Sequence, residues 1–422
     1  MTAITKVLAR EILDSRGNPT LEVEMHAGSA SAVAMVPSGA STGRHEAHEL
    51  RDGGSRLFGR GVRKAAANVQ NVIAPKLTAA DCENQEAIDA TLIELDGTPD
   101  KSNLGANALV GVSMAAARLA ALVQGKQLFA YLYELYYKET ASNYALPCPQ
   151  LNIINGGRHA GSKLAVQEFM LIPHRAAHFS EALFMAADVY QHLKQELKLV
   201  YGSSSINVGD EGGFVPHIDS TEKALEVIAA SIEELGYQDR IGLGLDCAAS
   251  SFYDNGTYLI EGRKSAEELL DFYASLIETF PIISVEDPFD EEDFASFAAF
   301  TRAHRKLQVV GDDLLTTNVK RIDVALQQQS CNALLLKVNQ IGTVTEALAA
   351  AKRAFGSTWR VVVSHRSGET EDTFIADLAV GLGCGQIKTG APARAERAAK
   401  YNRLLRIEEM LGERATFASP FG

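Results

Sequence analysis

From residue 241 onward the chain reads IGLGLD (241–246), IISVE (282–286), VVGD (309–312), ALLLK (333–337), VVVS (361–364) and GQIK (385–388). Each run is short and apolar, ends in a polar residue, and is followed by a stretch with helical patterning. The closing residues Asp246, Glu286, Asp312, Lys337, Ser364 and Lys388 are spaced 40, 26, 25, 27 and 24 residues apart. A repeating unit of one strand and one helix predicts parallel strands joined by crossover helices. With this much chain available, the economical closure is a (β/α)₈ barrel, whose active site lies at the C-terminal ends of the strands.

Upstream the pattern changes. Leu21, Val23 and Met25, then Ala32, Ala34 and Val36, alternate as paired strands, and Ala-rich helical patterns follow around 62–77 and 103–124. The polar stretch 138–144 and the prolines at 147 and 149 read as a linker, because proline stops a helix and fixes an extended path. The expected division is therefore a smaller α+β unit over 1–137 and a catalytic barrel over 138–422.

The composition is that of a globular enzyme: 422 residues, 46% hydrophobic and 22% charged. A net charge of −13 is the wrong sign for a protein that neutralises phosphates, so nucleic acid is excluded as a partner. The five cysteines are scattered without a C-x-x-C pair, which fits a reducing compartment. No signal peptide or membrane span is expected, since the most apolar helical run, 108–123, is interrupted by Ser113 and Arg118.

Three successive strand ends carry Asp246, Glu286 and Asp312. In a barrel they converge on one mouth, where three carboxylates suit a hard divalent cation such as Mg²⁺; singly, each could equally be a helix N-cap. Lys337 closes a very apolar run, and a lysine against a hydrophobic wall and metal cations has its neutral form favoured, as a general base requires. Arg366 and Lys388 add positive charge for an anionic substrate, or form rim ion pairs. Glu168 and Glu211 precede the regular repeat; Glu211, beside Asp210 and followed by two glycines, is expected to have its pKa raised by neighbouring carboxylates towards a general-acid role. The glycines of NGGRHAG (155–161) suggest a mobile lid bearing His159. The carboxylates Glu168, Glu211, Asp246, Glu286 and Asp312 set against Lys337, Arg366 and Lys388 leave −2, hostile to an anion. Two Mg²⁺ would make it +2, so the site binds two metals or a cationic ligand.

Other signals fail on context. Gly39-Ala40-Ser41-Thr42-Gly43 matches the G-x-S-x-G nucleophile elbow, but it lies ahead of the parallel array that such a serine hydrolase needs. His45 and His48 are three apart, where a zincin helix needs four.

Taken together, DSRGNPT (14–20), VPSGASTG (36–43), NGGRHAG, QEFM (167–170), NVGDEGGF (207–214), LDCAASSFY (245–253), VEDPF (285–289), GDDLLTTN (311–318), LLLKVNQIGT (334–343), SHRSGETEDT (364–373) and the segment 385–409 resemble the enolase family, in the family's order and along the whole chain. The resemblance implies reversible dehydration of 2-phosphoglycerate to phosphoenolpyruvate, a small α+β domain capping the barrel, and an atypical ββαα(βα)₆ strand order. It implies that Asp246, Glu286 and Asp312 hold one Mg²⁺ and Ser41 helps hold a second. Lys337 becomes the base at C2 and Glu211 the acid at the C3 hydroxyl, with Glu168 assisting. His159, Gln167, Arg366, Ser367 and Lys388 contact substrate, Arg366 at the phosphate and Lys388 near the carboxylate. Ser251, Phe294, Ala393 and Ala395 depart from common family residues without touching those roles. The resemblance also implies a cytoplasmic homodimer or larger assembly, with Glu22 and Arg406 as an intersubunit pair. Surface-receptor or assembly-partner roles, plasminogen binding among them, are the alternative class; a chain ending Ser419-Pro420-Phe421-Gly422 lacks the C-terminal lysines often used for it.

Overall fold

The computed structural model describes residues 2–40, 42–160 and 163–421, apart from the side chains of Arg158 and His159. The assignments of Ser41 to metal and of the His159 side chain to substrate therefore lie outside the described residues.

The N-terminal unit opens with an antiparallel meander of β1 (Ile4–Leu13), β2 (Pro19–Ala27) and β3 (Ala30–Met35). Alternation in β2 turns Leu21, Val23 and Met25 inward. Against that face packs helix Ala106–Val123, so closely that a Cβ on Gly111 would lie 2.7 Å from Val23 Cγ2. This helix is long and apolar enough to cross a membrane, yet 83% of that window is buried inside the protein, which accounts for its composition as a core helix.

Helix Leu128–Tyr137 of the unit packs on the barrel helix Phe374–Leu382, and two polar joints stand among the further contacts that fix the unit to the barrel. One is the segment 37–48, described with the site. In the other, Asp89, on helix Gln85–Asp96, accepts hydrogen bonds from Thr345 N (2.9 Å) and Thr345 Oγ1 (2.6 Å), Val344 N donates to Ser113 Oγ (2.9 Å), and Lys101 pairs with Glu346. Burial pushes the Asp89 carboxyl up despite those donors.

The stretch expected to be a linker is partly strand. β4 (Tyr144–Leu146) pairs in parallel with β16 (Ala415–Phe417), and β5 begins at Cys148, so Pro149 lies inside the first barrel strand opposite Ile387. The extended φ that suggested a linker suits a strand equally. The barrel then runs β5 (Cys148–Asn155), β6 (Glu168–Ile172), the helices Phe179–Tyr201 and Thr221–Glu234, and β7 (Gly242–Asp246). A small antiparallel sheet, β8 (Tyr253–Asp254), β9 (Thr257–Leu259) and β10 (Arg263–Lys264), fills the long 40-residue interval. β11 (Ile282–Glu286), β12 (Gln308–Gly311), β13 (Ala333–Leu336), β14 (Arg360–Ser364) and β15 (Gln386–Lys388) follow, each succeeded by a helix, and β15 closes on β5. β6 is antiparallel to both of its neighbours, giving the ββαα(βα)₆ order.

Register sets the mouth. Glu168 pairs with Asp246, Asp246 with Glu286, and Ser364 with Lys388, so these residues stand at one level around the barrel. Beneath Asp312, Lys337 and Ser364, period-two alternation places Val310, Ala333, Leu335 and Val362 as a small internal apolar cluster.

Candidate active site

The level defined by that register floors a pocket lined by, among others, Gln167, Glu168, Glu211, Asp246, Asp312, Lys337, Arg366, Ser367 and Lys388. Glu286 lies beneath, fully buried. All the described residues expected to act are thus gathered in one place. Their own side chains nearly fill it, leaving about 30 Å³ for water.

Lys388 Nζ sits between Asp246 Oδ2 (2.8 Å) and the Glu286 carboxylate (2.9 and 3.0 Å), with Glu168 at 3.3 Å. Lys337 Nζ donates to Asp312 Oδ2 at 2.5 Å, and Gln340 Nε2 donates to Asp312 Oδ1 at 2.9 Å. Two ammonium groups therefore supply the counter-charge that three buried carboxylates demand. The donor set fits a divalent cation: these are hard oxygens on neighbouring strand ends, already engaged with positive charge. Carboxylates also converge to within 4.8 Å at Asp287, Asp312 and Asp313, and Glu168, Glu211 and His365 converge likewise.

The charges of two of these groups depend on neighbours distant in sequence. Burial alone would lower the Lys337 pKa, but Asp312 and Glu286 outweigh it, the pKa is raised, and beside Asp312 the amine is held as an ammonium. Glu211 is opposite to expectation. It packs not against Asp210 but against Glu168, and among the described residues Glu168 Oε2 has no donor other than what Glu211 can share. Two buried acids in contact keep one proton between them. That proton rests on Glu168, driven up by burial and the Glu211 charge. Burial opposes ionisation of Glu211, but the Arg397 and Lys388 charges and the Glu168 hydrogen bond hold it below the usual carboxylate range. Asn152 Nδ2 donates to Glu211 Oε2 at 2.9 Å and fixes its orientation.

The N-terminal unit completes the rim. Ser38 bridges to Gly368, Ala40 N donates to Ser367 Oγ (2.7 Å), and Glu46 takes both Arg366 nitrogens at 2.8 and 3.0 Å. Asn339 Oδ1 accepts a further bond from Arg366 (3.1 Å), and Gln167 Nε2 reaches Asp246 Oδ2 at 3.3 Å.

Sequence reading left several residues without a role. Asp287 holds an unusual φ of +40°, and its carboxylate accepts from Asp312 N (2.9 Å) and Asp313 N (2.6 Å), bracing the end of β12. Glu46, His365 and Arg397 also belong to the site. Adjacency to Glu286 and Arg366 is the signal that could have found Asp287 and His365.

Comparison with known proteins agrees with this architecture. Residues 4–132 match the family description "Enolase, N-terminal domain", and residues 143–420 match "Enolase, C-terminal TIM barrel domain". A protein named Enolase from Methanocaldococcus jannaschii is 52% identical over 411 residues, covering 97% of this chain and 96% of its own length. Another Enolase, from Methanothrix thermoacetophila, is 52% identical over 416 residues, 98% of each chain. A closed eight-stranded barrel with an acid- and lysine-lined mouth, family matches over both units, and about half of all positions shared with full-length relatives lead to one conclusion: this chain belongs to the enolase family.

Proposed function

We propose that this site carries out the reversible, Mg²⁺-dependent dehydration of 2-phospho-D-glycerate to phosphoenolpyruvate, with Lys337 as base and the Glu168–Glu211 pair as acid. The observation that supports it best is the separation of these groups onto different segments around one pocket whose deep wall is Asp246, Glu286 and Asp312.

A hydrogen next to a carboxylate is very weakly acidic, because its removal places more charge on an existing anion. Two Mg²⁺, held by Asp246, Glu286 and Asp312 and by Ser41, would supply positive charge to the substrate carboxylate. Enolase-superfamily sites pair a Lys or His base with one or two Mg²⁺. Asp312 cannot serve Lys337 and a cation equally. Drawing Asp312 away leaves the Lys337 amine buried without its counter-charge, which favours the neutral form. Lys337 Nζ then takes the proton from C2, and the freed electron pair is delocalised into the carboxylate. As the C2–C3 double bond forms, the C3–O bond breaks, and the departing hydroxyl takes a proton from the Glu168–Glu211 pair to leave as water. Arg366 and Ser367 hold the phosphate, Lys388 the carboxylate side, and Gln167 and His159 flank the substrate.

Glu22 and Arg406 are proposed as an intersubunit pair of a cytoplasmic homodimer. Arg406 is exposed on helix Ala395–Leu411, and Glu22 stands opposite Arg10 on the β1–β2 ladder. The boundary between capping unit and barrel is placed at 137/138.

The test is an absorbance assay for phosphoenolpyruvate. Turnover is expected to vanish with EDTA and return with Mg²⁺; activity that survives chelation refutes the metal assignment.

A further inference from the structure

Arg397 is the largest side chain that the fold buries completely, and it is placed one turn into helix Ala395–Leu411, directly behind the reacting pocket. Its guanidinium is spread over four acceptors from two segments, 365–367 and Asp210. Nη1 donates to Arg366 O (2.6 Å) and lies 2.6 Å from His365 Nδ1, while Nη2 donates to Ser367 O (2.6 Å) and Asp210 O (3.0 Å). Asp210 and Arg366 are the immediate neighbours of Glu211 and His365, so one planar cation ties together the backbones that carry both.

The contact with His365 has a chemical consequence. A guanidinium has only donors and does not lose its proton in a protein. At 2.6 Å, His365 Nδ1 must therefore offer its lone pair. A neutral ring with its lone pair at Nδ1 carries its hydrogen at Nε2. The other side of the ring agrees: Nε2 lies 4.0 Å from Glu211 Oε2, aimed at the carboxyl that meets the leaving oxygen. Protonating Nδ1 would set an N–H against a guanidinium N–H in a fully buried site, so the imidazolium is excluded as well. Burial and the surrounding Arg397, Lys388 and Lys337 charges oppose it in the same direction, against Glu211 alone.

We propose that Arg397 is a positioning residue that locks His365 as its Nε2–H tautomer, so that the N–H facing the Glu211 carboxyl at 4.0 Å, beyond hydrogen-bond length, is there to donate to the oxygen departing between them. On this reading His365 never acts as a base. Its task is to steady negative charge on Glu211 once the proton shared with Glu168 has gone to the leaving oxygen. The inference rests on the assignment of Glu211 to the leaving hydroxyl.

The direct test needs no mutation. Neutron diffraction from deuterium-exchanged crystals of the full chain, or ¹⁵N spectra of histidine-labelled protein with His365 assigned through His365→Gln, reports which ring nitrogen bears hydrogen. Hydrogen at Nε2 with a bare Nδ1 from pH 6 to 9 is expected; hydrogen at Nδ1, or an imidazolium, overturns the proposal. Arg397→Lys retains the charge but not the planar fork. In that variant a mixed tautomer signal is expected, with kcat reduced by about 10–100-fold and KM within threefold. An unchanged tautomer and unchanged kcat in a folded Arg397→Lys protein also overturn it. If Arg397→Lys does not fold, the ring spectrum of the unmodified chain decides alone. Failure of the Glu211 assignment is separable: Glu211→Gln would then keep full turnover while the His365 spectrum still showed Nε2–H.

Discussion

Lys337 shows how far a single residue can be read without a structure. Its place at the end of an apolar run predicted an inward-facing, strand-end lysine, and period-two alternation in β13 delivers one. Its protonation state was not legible, because that depends on Asp312, 25 positions earlier in the chain and 2.5 Å away in space. The same holds for Glu211, whose partner Glu168 comes from another strand. Replacing Lys337 by Ala is expected to lower exchange of the C2 hydrogen with solvent by about 10²–10⁴-fold, the usual worth of a positioned general base. Deuterium wash-in followed by NMR reads this directly, and exchange at the original rate would remove Lys337 from the role of base.

At the scale of elements, the regular βα rhythm was visible because each strand of that part is bounded by its own polar stop. The reversed strand β6 was not, since the four apolar residues after Glu168 carry no mark of direction and only pairing with β5 and β7 sets it. The acidic turn 209–213 is similarly silent about what surrounds it. There the loop after β15 comes close: Ala391 N donates to Glu211 O, and Gly390 holds φ +82°. A Cβ at 390 would lie 2.7 Å from Glu211 O and 2.9 Å from Arg397 Cδ. Gly390→Ala is thus expected to destabilise the fold by about 1–3 kcal/mol through overpacking, beyond the backbone cost of a positive φ, and to lower kcat. Gly383→Ala is the control, as it shares a positive φ but meets only Tyr137 Oη at 3.7 Å. Urea unfolding of the pair isolates the contact, and equal losses in both would show that no such contact matters.

For the whole molecule, the scattered cysteines spoke against a disulfide scaffold, and all five are free and buried. Composition could not locate the polar joint between the two units, which is built from residues more than 200 positions apart. Asp89 lies at its centre. Its folded pKa is raised above the unfolded value near 3.9. The folded state therefore binds more protons than the unfolded one as pH climbs past about 4, and stability falls through that window until the folded pKa is passed. Asp89→Asn is expected to flatten this part of the stability profile, with Gln85 Oε1, partnerless in the native chain, able to accept from the new amide. Denaturant titrations at a series of pH values would show it; identical slopes for both proteins contradict it.

The pairing of β16 with β4, next to the closure of β15 on β5, bears on how the chain is made. A ribosome delivers the capping unit first, and that unit can complete its own meander and core helix while the rest is still being synthesised. The barrel has no such freedom. Its first strand waits for a neighbour encoded more than 230 residues later, and the strip before it takes its strand partner from residues 415–417. Until β15 and β16 have emerged, a long apolar edge stands open, so nascent chains stalled or truncated near residue 380 are the ones to expect in the hands of chaperones.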